Sequence, residues 1–102
     1  MKLRLALIAS LAATPLMAAD SPEQSCGYQA EIVAAVQQAR KDRVKERDVP
    51  EAIAATDPEW PENYSAAIPL VTPWVYEQKM KIIRNEDLSE AWKELCLAQI
   101  KG

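Results

Sequence analysis

The chain has 102 residues, with 12 Lys and Arg against 15 Asp and Glu for a formal net charge of −3, and it contains no histidine. An acidic balance argues against a primary role on nucleic acid, because phosphate binding draws on a positive field. Without histidine the commonest general base, the commonest metal ligand and the usual switch near neutral pH are all missing, which removes most enzymatic and metal-centred readings.

The first stretch reads as an export signal. Met1-Lys2-Leu3-Arg4 is a short positive head, Leu5 to Met17 carries no charge, and Ala18-Ala19 closes the run with small residues before Asp20. That three-part layout predicts a signal peptide over residues 1–19, cleaved after Ala19 or, one position earlier, after Ala18. The apolar run is well short of the roughly 20 residues that cross a bilayer, and no later segment approaches that length. A lipid anchor would need a cysteine directly behind the run, whereas Cys26 follows in the polar context Glu23-Gln24-Ser25. The expectation is an exported protein, periplasmic in a Gram-negative bacterium or secreted, with no stable membrane association after cleavage. Losing Lys2 and Arg4 with the signal leaves 10 Lys and Arg against 15 acids, a charge of −5, in one small domain over residues 20–102.

The two cysteines, Cys26 and Cys96, are expected to form one structural disulfide, as an even cysteine count in an exported chain implies. A redox-active pair is more often closely spaced, as in C-x-x-C.

Along the domain, Ser21-Pro22-Glu23-Gln24 is a helix start, with a cap residue, an early proline and a glutamine three residues after the cap. Gly27 weakens the first turn and moves the expected regular helix toward Ser25. Cys26, Ala30, Val33, Val36 or Gln37, and Val44 recur at helical spacing, with Ile32 and Ala39 widening the stripe, so the helix is predicted to reach about Arg47. Its final turns hold Arg40, Lys41, Arg43, Lys45 and Arg47 among acids. These cations read either as a patch for an anionic partner or, preferably, as a solvated face that complements the helix dipole. Asp48-Val49-Pro50-Glu51 repeats the capping logic and opens a short alanine-rich helix that buries little besides Ile53. Residues 56–63, with Pro58, Trp60 and Pro61, form the connecting loop.

From Tyr64, the positions Ile68, Val71, Val75 and Ile82 share one stripe and predict a helix from about Pro61 to Arg84. Pro69 and Pro73 require it to kink or break near Ile68 to Thr72, where Thr72-Pro73 would cap a new start. Asp87-Leu88-Ser89-Glu90 caps a last helix, whose stripe takes in Leu88, Trp92 or Ala91, Leu95, and Gln99 or Ala98 to about Ile100. The fold class that follows is all-α: a small bundle of three main helices and one short one, with the disulfide joining the first helix to the last.

Candidate sites are few. Asp57, Glu59 and Glu62 offer oxygen ligands, but calcium loops need a sharp glycine turn and denser ligands, so no metal is expected. Ser65, Ser89, Thr56 and Thr72 sit where caps and helix surfaces explain them, and no activating base accompanies them, so no catalytic residue and no cofactor is assigned. Trp60, held between two prolines, is either a binding anchor or the lid of a core that has no phenylalanine, and the lid is preferred. Trp74, Tyr76 and Met80 lie off the main stripe and form either a second buried face or a contact for a partner. Trp60, Tyr64 and Trp74 are thus the interaction candidates.

The leading functional expectation is a protein-protein interaction module: an inhibitor, an immunity protein or an accessory subunit whose partner is another protein. In plan the chain resembles periplasmic immunity proteins against secreted toxins, a likeness of architecture that no motif carries. An alternative is similar in plan to small acid-activated helical chaperones of the periplasm, in which protonated carboxylates would expose apolar surface. A further alternative is a structural homodimer joined through Trp74, Tyr76 and Met80.

Overall fold

A computed structural model describes residues 20–101, with side chains as far as Ile100; the predicted signal peptide lies outside the described residues. Among the described residues five α-helices follow one another: α1 (Pro22–Lys41), α2 (Val49–Ala54), α3 (Ile68–Tyr76), α4 (Met80–Asn85) and α5 (Leu88–Lys101). Short 3-10 segments at Glu46–Asp48 and Glu62–Ala67 lead into α2 and α3. There is no strand among the described residues.

The first helix begins at Pro22, ahead of the position Gly27 suggested. A complete capping box explains this: Ser21 Oγ accepts the Gln24 N–H at 3.1 Å, and Gln24 Oε1 accepts the Ser21 N–H at 2.8 Å. Two orphan donors are satisfied at once, which offsets the weak helix propensity of one glycine. Along α1 two apolar stripes are buried, one through Cys26, Ala30, Val33 and Gln37 and one through Ile32, Val36 and Ala39. About 100° per residue separates them around the helix, and α1 is the central element, in contact with α2, α3, α4 and α5.

The helix ends at Lys41, not near Arg47. Asp42 closes it, and Arg43 takes a left-handed conformation with φ 64°. The Arg43 N–H bonds the Arg40 carbonyl and the Val44 N–H bonds the Ala39 carbonyl, both at 3.0 Å, which is the paired pattern of a Schellman ending with arginine in the place glycine usually takes. The neighbouring helix supplies the reason for the early stop. Gln37 already faces Leu88, the first residue of α5, so a longer α1 would carry its apolar stripe past the end of its partner. The turn instead brings Val44 back against the core. Relieving the left-handed arginine with Arg43→Gly should raise stability by up to about 1 kcal/mol, a Tm gain of roughly 4–8 °C for a domain of this size. A thermal melt checks this, and a lower Tm would show that the arginine side chain contributes more than its backbone costs.

Asp48 precedes α2 but makes no side-chain cap; the 3-10 turn holds it at φ −98° and ψ 0°, unlike the extended backbone of a capping residue. Both Val49 and Ile53 are buried, so α2 contributes more than the single core residue expected of it. Trp60 is 8% exposed and belongs to the core cluster, with its indole N–H donating to Ser65 Oγ at 3.0 Å.

The predicted 61–84 helix is divided twice. One division comes just before Ile68, placing Pro69 in the first turn of α3 where its missing N–H costs nothing. The other falls at Glu77–Lys79, with Lys79 extended at φ −71° and ψ 151°. Pro73 does not start a new helix but stays inside α3. The bond it cannot make would go to the Pro69 carbonyl, and both prolines are exposed, so water can serve that oxygen. The second division also rephases the core: Ile83 is fully buried, whereas Ile82, the residue on the predicted stripe, is only half-buried.

Asp87 caps α5 as the sequence predicts, accepting the Ser89 hydroxyl at 2.6 Å and the Glu90 N–H at 3.1 Å. The Ser89 hydroxyl and the backbone amides of this cap hold the Asp87 carboxyl below its ordinary range. The last helix runs antiparallel to α1, tied at three heights: the Cys26–Cys96 disulfide at one end, the Trp92 N–H on Gln29 Oε1 at 3.0 Å in the middle, and Gln37 on the Leu88 N–H at 3.2 Å at the other.

Candidate functional site

The inward stripe of α5 is Leu88, Trp92 and Cys96, spaced four residues apart, with Leu88 buried and the other two half-buried. Leu95, assigned to the core by its spacing from Leu88, instead stands 60% exposed, and Ile100 is 45% exposed. Leu95 stands to the side of that line, and Ile100, which continues it by four residues, lies beyond the disulfide. Together with Gln29, Trp92, Cys96 and Gln99 they line a shallow groove of about 480 Å³ between the two helices.

The groove is stiffly built. Gln29 holds the Trp92 indole by its N–H, Trp74 packs edge-on against the same indole with centroids 5.3 Å apart, and the disulfide fixes the floor. Cys96 Sγ lies 3.8 Å from Gln29 Oε1, a packing contact, since a disulfide sulfur has no hydrogen to donate.

The three aromatic residues singled out from the sequence lie in different places. Trp60 is enclosed in the core. Tyr64 stacks obliquely on Tyr28, with centroids 5.0 Å apart, and donates its hydroxyl to Asp20 at 2.8 Å near the start of α1. Trp74 supports Trp92 behind the α5 groove. The face drawn through Trp74, Tyr76 and Met80 is likewise shared out: Tyr76 turns to the end of α1, where its hydroxyl donates to the Val44 carbonyl at 2.6 Å and the Arg40 guanidinium stacks 5.0 Å over its ring. Burial pushes the Tyr76 hydroxyl above its ordinary pKa, with the charge of Arg40 opposing and that of Glu46 adding.

Leu95 is the residue sequence reasoning missed as a surface group. Its helical spacing relative to Leu88 could not distinguish a core position from the flank of one. The chemistry of the rest is plain. Ser65 and Thr72 spend their hydroxyls on Trp60 and the Ile68 carbonyl, Ser89 on the Asp87 cap, and Thr56 on the Ile53 carbonyl at 2.7 Å. Among the described residues no three Cys, Asp or Glu side chains gather as a metal site, and no helix is long and apolar enough to cross a membrane. Compared with protein-family models, with curated proteins and with solved structures, the chain matches none.

Proposed function

We propose that this protein is an exported interaction module that binds another protein through the α1–α5 groove, in the manner of an inhibitor, an immunity protein or an accessory subunit. The observation that supports this is the exposure of Leu95 and Ile100 beside Trp92 on a helix that already has its core contacts. Apolar surface in solvent is a liability unless it is used, and tryptophan is among the residues enriched at binding hot spots. The bridge at Cys96 keeps the groove pre-formed, which lowers the ordering cost of association. Export is supported by the layout of residues 1–19 and by the disulfide, a bond that persists in oxidising compartments.

An acid-activated chaperone would need carboxylates whose protonation opens the fold. All 15 Asp and Glu side chains are exposed, so acid removes surface charge without releasing a buried group, and the interaction module is favoured. A homodimer built on the same groove would show as a doubled mass in size-exclusion with light scattering.

The deciding experiment captures partners from periplasmic extract on the disulfide-bonded domain, then measures the affinity of the purified captured protein for wild type and for Leu95→Ser/Ile100→Ser. The double variant is expected to bind at least about tenfold more weakly, as loss of hot-spot residues does. Equal affinity would remove the groove from the interaction.

A further inference from the structure

We infer that a second surface, a basic groove where the end of α1 meets α4, takes a short acidic segment of a partner protein. Arg40, Arg43, Lys45, Met80 and Arg84 are among the residues around one concavity of about 480 Å³, and Lys41, Arg43, Met80 and Arg84 surround another. Arg43, Met80 and Arg84 are common to both, so the two form one continuous surface. Five cations converge there with one carboxylate, Glu46, on a domain whose overall charge is −5. Neither concavity shares a lining residue with the α1–α5 groove, so this inference stands apart from the proposed function.

The turn after Lys41, set by the packing of α1 against α5 and the core, fixes where Arg43 stands on this surface. Arginine occupies the left-handed position that glycine fills without strain, and residues held in such conformations cluster at binding sites. Its neighbour Arg40 is already oriented: the guanidinium lies over Tyr76, one terminal nitrogen reaches the Gln78 carbonyl at 3.5 Å, and Nε is buried with no hydrogen-bond partner. A pre-placed guanidinium loses little freedom on meeting a carboxylate, and arginine offers a planar fork that matches one.

The shape and the floor select the class of ligand. Val44, Tyr76 and Met80 are half-buried between the cations, giving an apolar seat with positive walls. An acidic peptide carrying one apolar side chain satisfies both features. A flat membrane surface cannot follow a concavity, and a long polyanion would run off the patch onto the acidic remainder of the domain.

The test uses the disulfide-bonded domain and a synthetic peptide with a central leucine flanked by glutamates, alongside its all-glutamine counterpart, inorganic phosphate and vesicles containing phosphatidylglycerol. At low salt the glutamate peptide should shift the amide resonances of residues 40–46 and 76–84. Arg43→Glu/Arg84→Glu should weaken that binding at least about tenfold, while Lys93→Glu, on exposed α5 surface, changes it by less than about twofold. If the double reversal does not fold, Arg43→Gln/Arg84→Gln provides the same comparison and should also weaken binding. The inference is overturned by unchanged affinity in either double variant, by equal binding of the glutamine peptide, by shifts confined to other residues, or by tighter binding of phosphate or vesicles than of the glutamate peptide.

Discussion

Replacing both cysteines with serine should lower the unfolding free energy by about 4 kcal/mol, the chain-entropy value for a bridge that closes a loop of 70 residues. A domain of this length is worth roughly 4–12 kcal/mol in total, so the loss takes between about a third and all of the stability. Geometry adds to the loss. Cys26 is fully buried in α1, and a serine there places a hydroxyl where a sulfur was. Cys26→Ala/Cys96→Ala separates the two contributions, since it removes the crosslink without the hydroxyl and should recover part of the deficit. Urea unfolding of the oxidised protein, the reduced protein and both double variants measures this. The uncrosslinked chains should also show larger m values, because their unfolded ensembles are less compact. Coincident midpoints for oxidised and reduced protein would mean that the bridge contributes nothing to the fold.

The second large effect belongs to a residue that looks unremarkable in the sequence. Gln37 is 7% exposed, and its amide serves three backbone groups at the α4–α5 junction. Nε2 donates to the carbonyls of Ile83 and Glu86, both at 2.8 Å, and Oε1 accepts the Leu88 N–H at 3.2 Å. Gln37→Leu keeps the bulk and strands three polar groups, at a cost of about 3 kcal/mol. Gln37→Glu should be worse at neutral pH, since a carboxylate facing two carbonyls has no proton to donate. Chemical denaturation gives the loss, and hydrogen exchange at the Leu88 amide locates it. A deficit below about 1 kcal/mol in Gln37→Leu would show that water replaces the glutamine at the junction.

These residues mark how far the chain's own pattern leads. The start of α5 was legible because cap, acid and apolar residue all fall within four residues at Asp87; at α1 the same signal was present at Ser21, but Gly27 moved the expected start toward Ser25 although the helix begins at Pro22. The disulfide was legible from cysteine number. The stop at Lys41 was not: its signal is usually a glycine, and here an arginine takes that conformation because α5 gives out opposite Gln37, a fact of tertiary packing. The division at Glu77–Lys79 has no proline or glycine to announce it, whereas the division just before Ile68 was announced by Pro69, and Pro73 stays inside α3. Leu95 was placed inside by a periodicity that cannot tell the centre of a stripe from its edge. The basic groove was half visible, as a run of cations from Arg40 to Arg47, but its concave form depends on α4 bringing Met80 and Arg84 alongside from some 40 residues away.

Joining the first helix to the last also sets an order of events. On the proposed export route a chain delivered from its N-terminus would present Cys26 long before Cys96 reaches the same side of the barrier, and α1 can reach its crosslinked state only when α5 has followed. A product truncated anywhere before residue 96 therefore never closes. The bond that holds the finished domain together is in this sense a test of completeness: it marks whole chains with a covalent stamp and leaves partial ones with a free thiol.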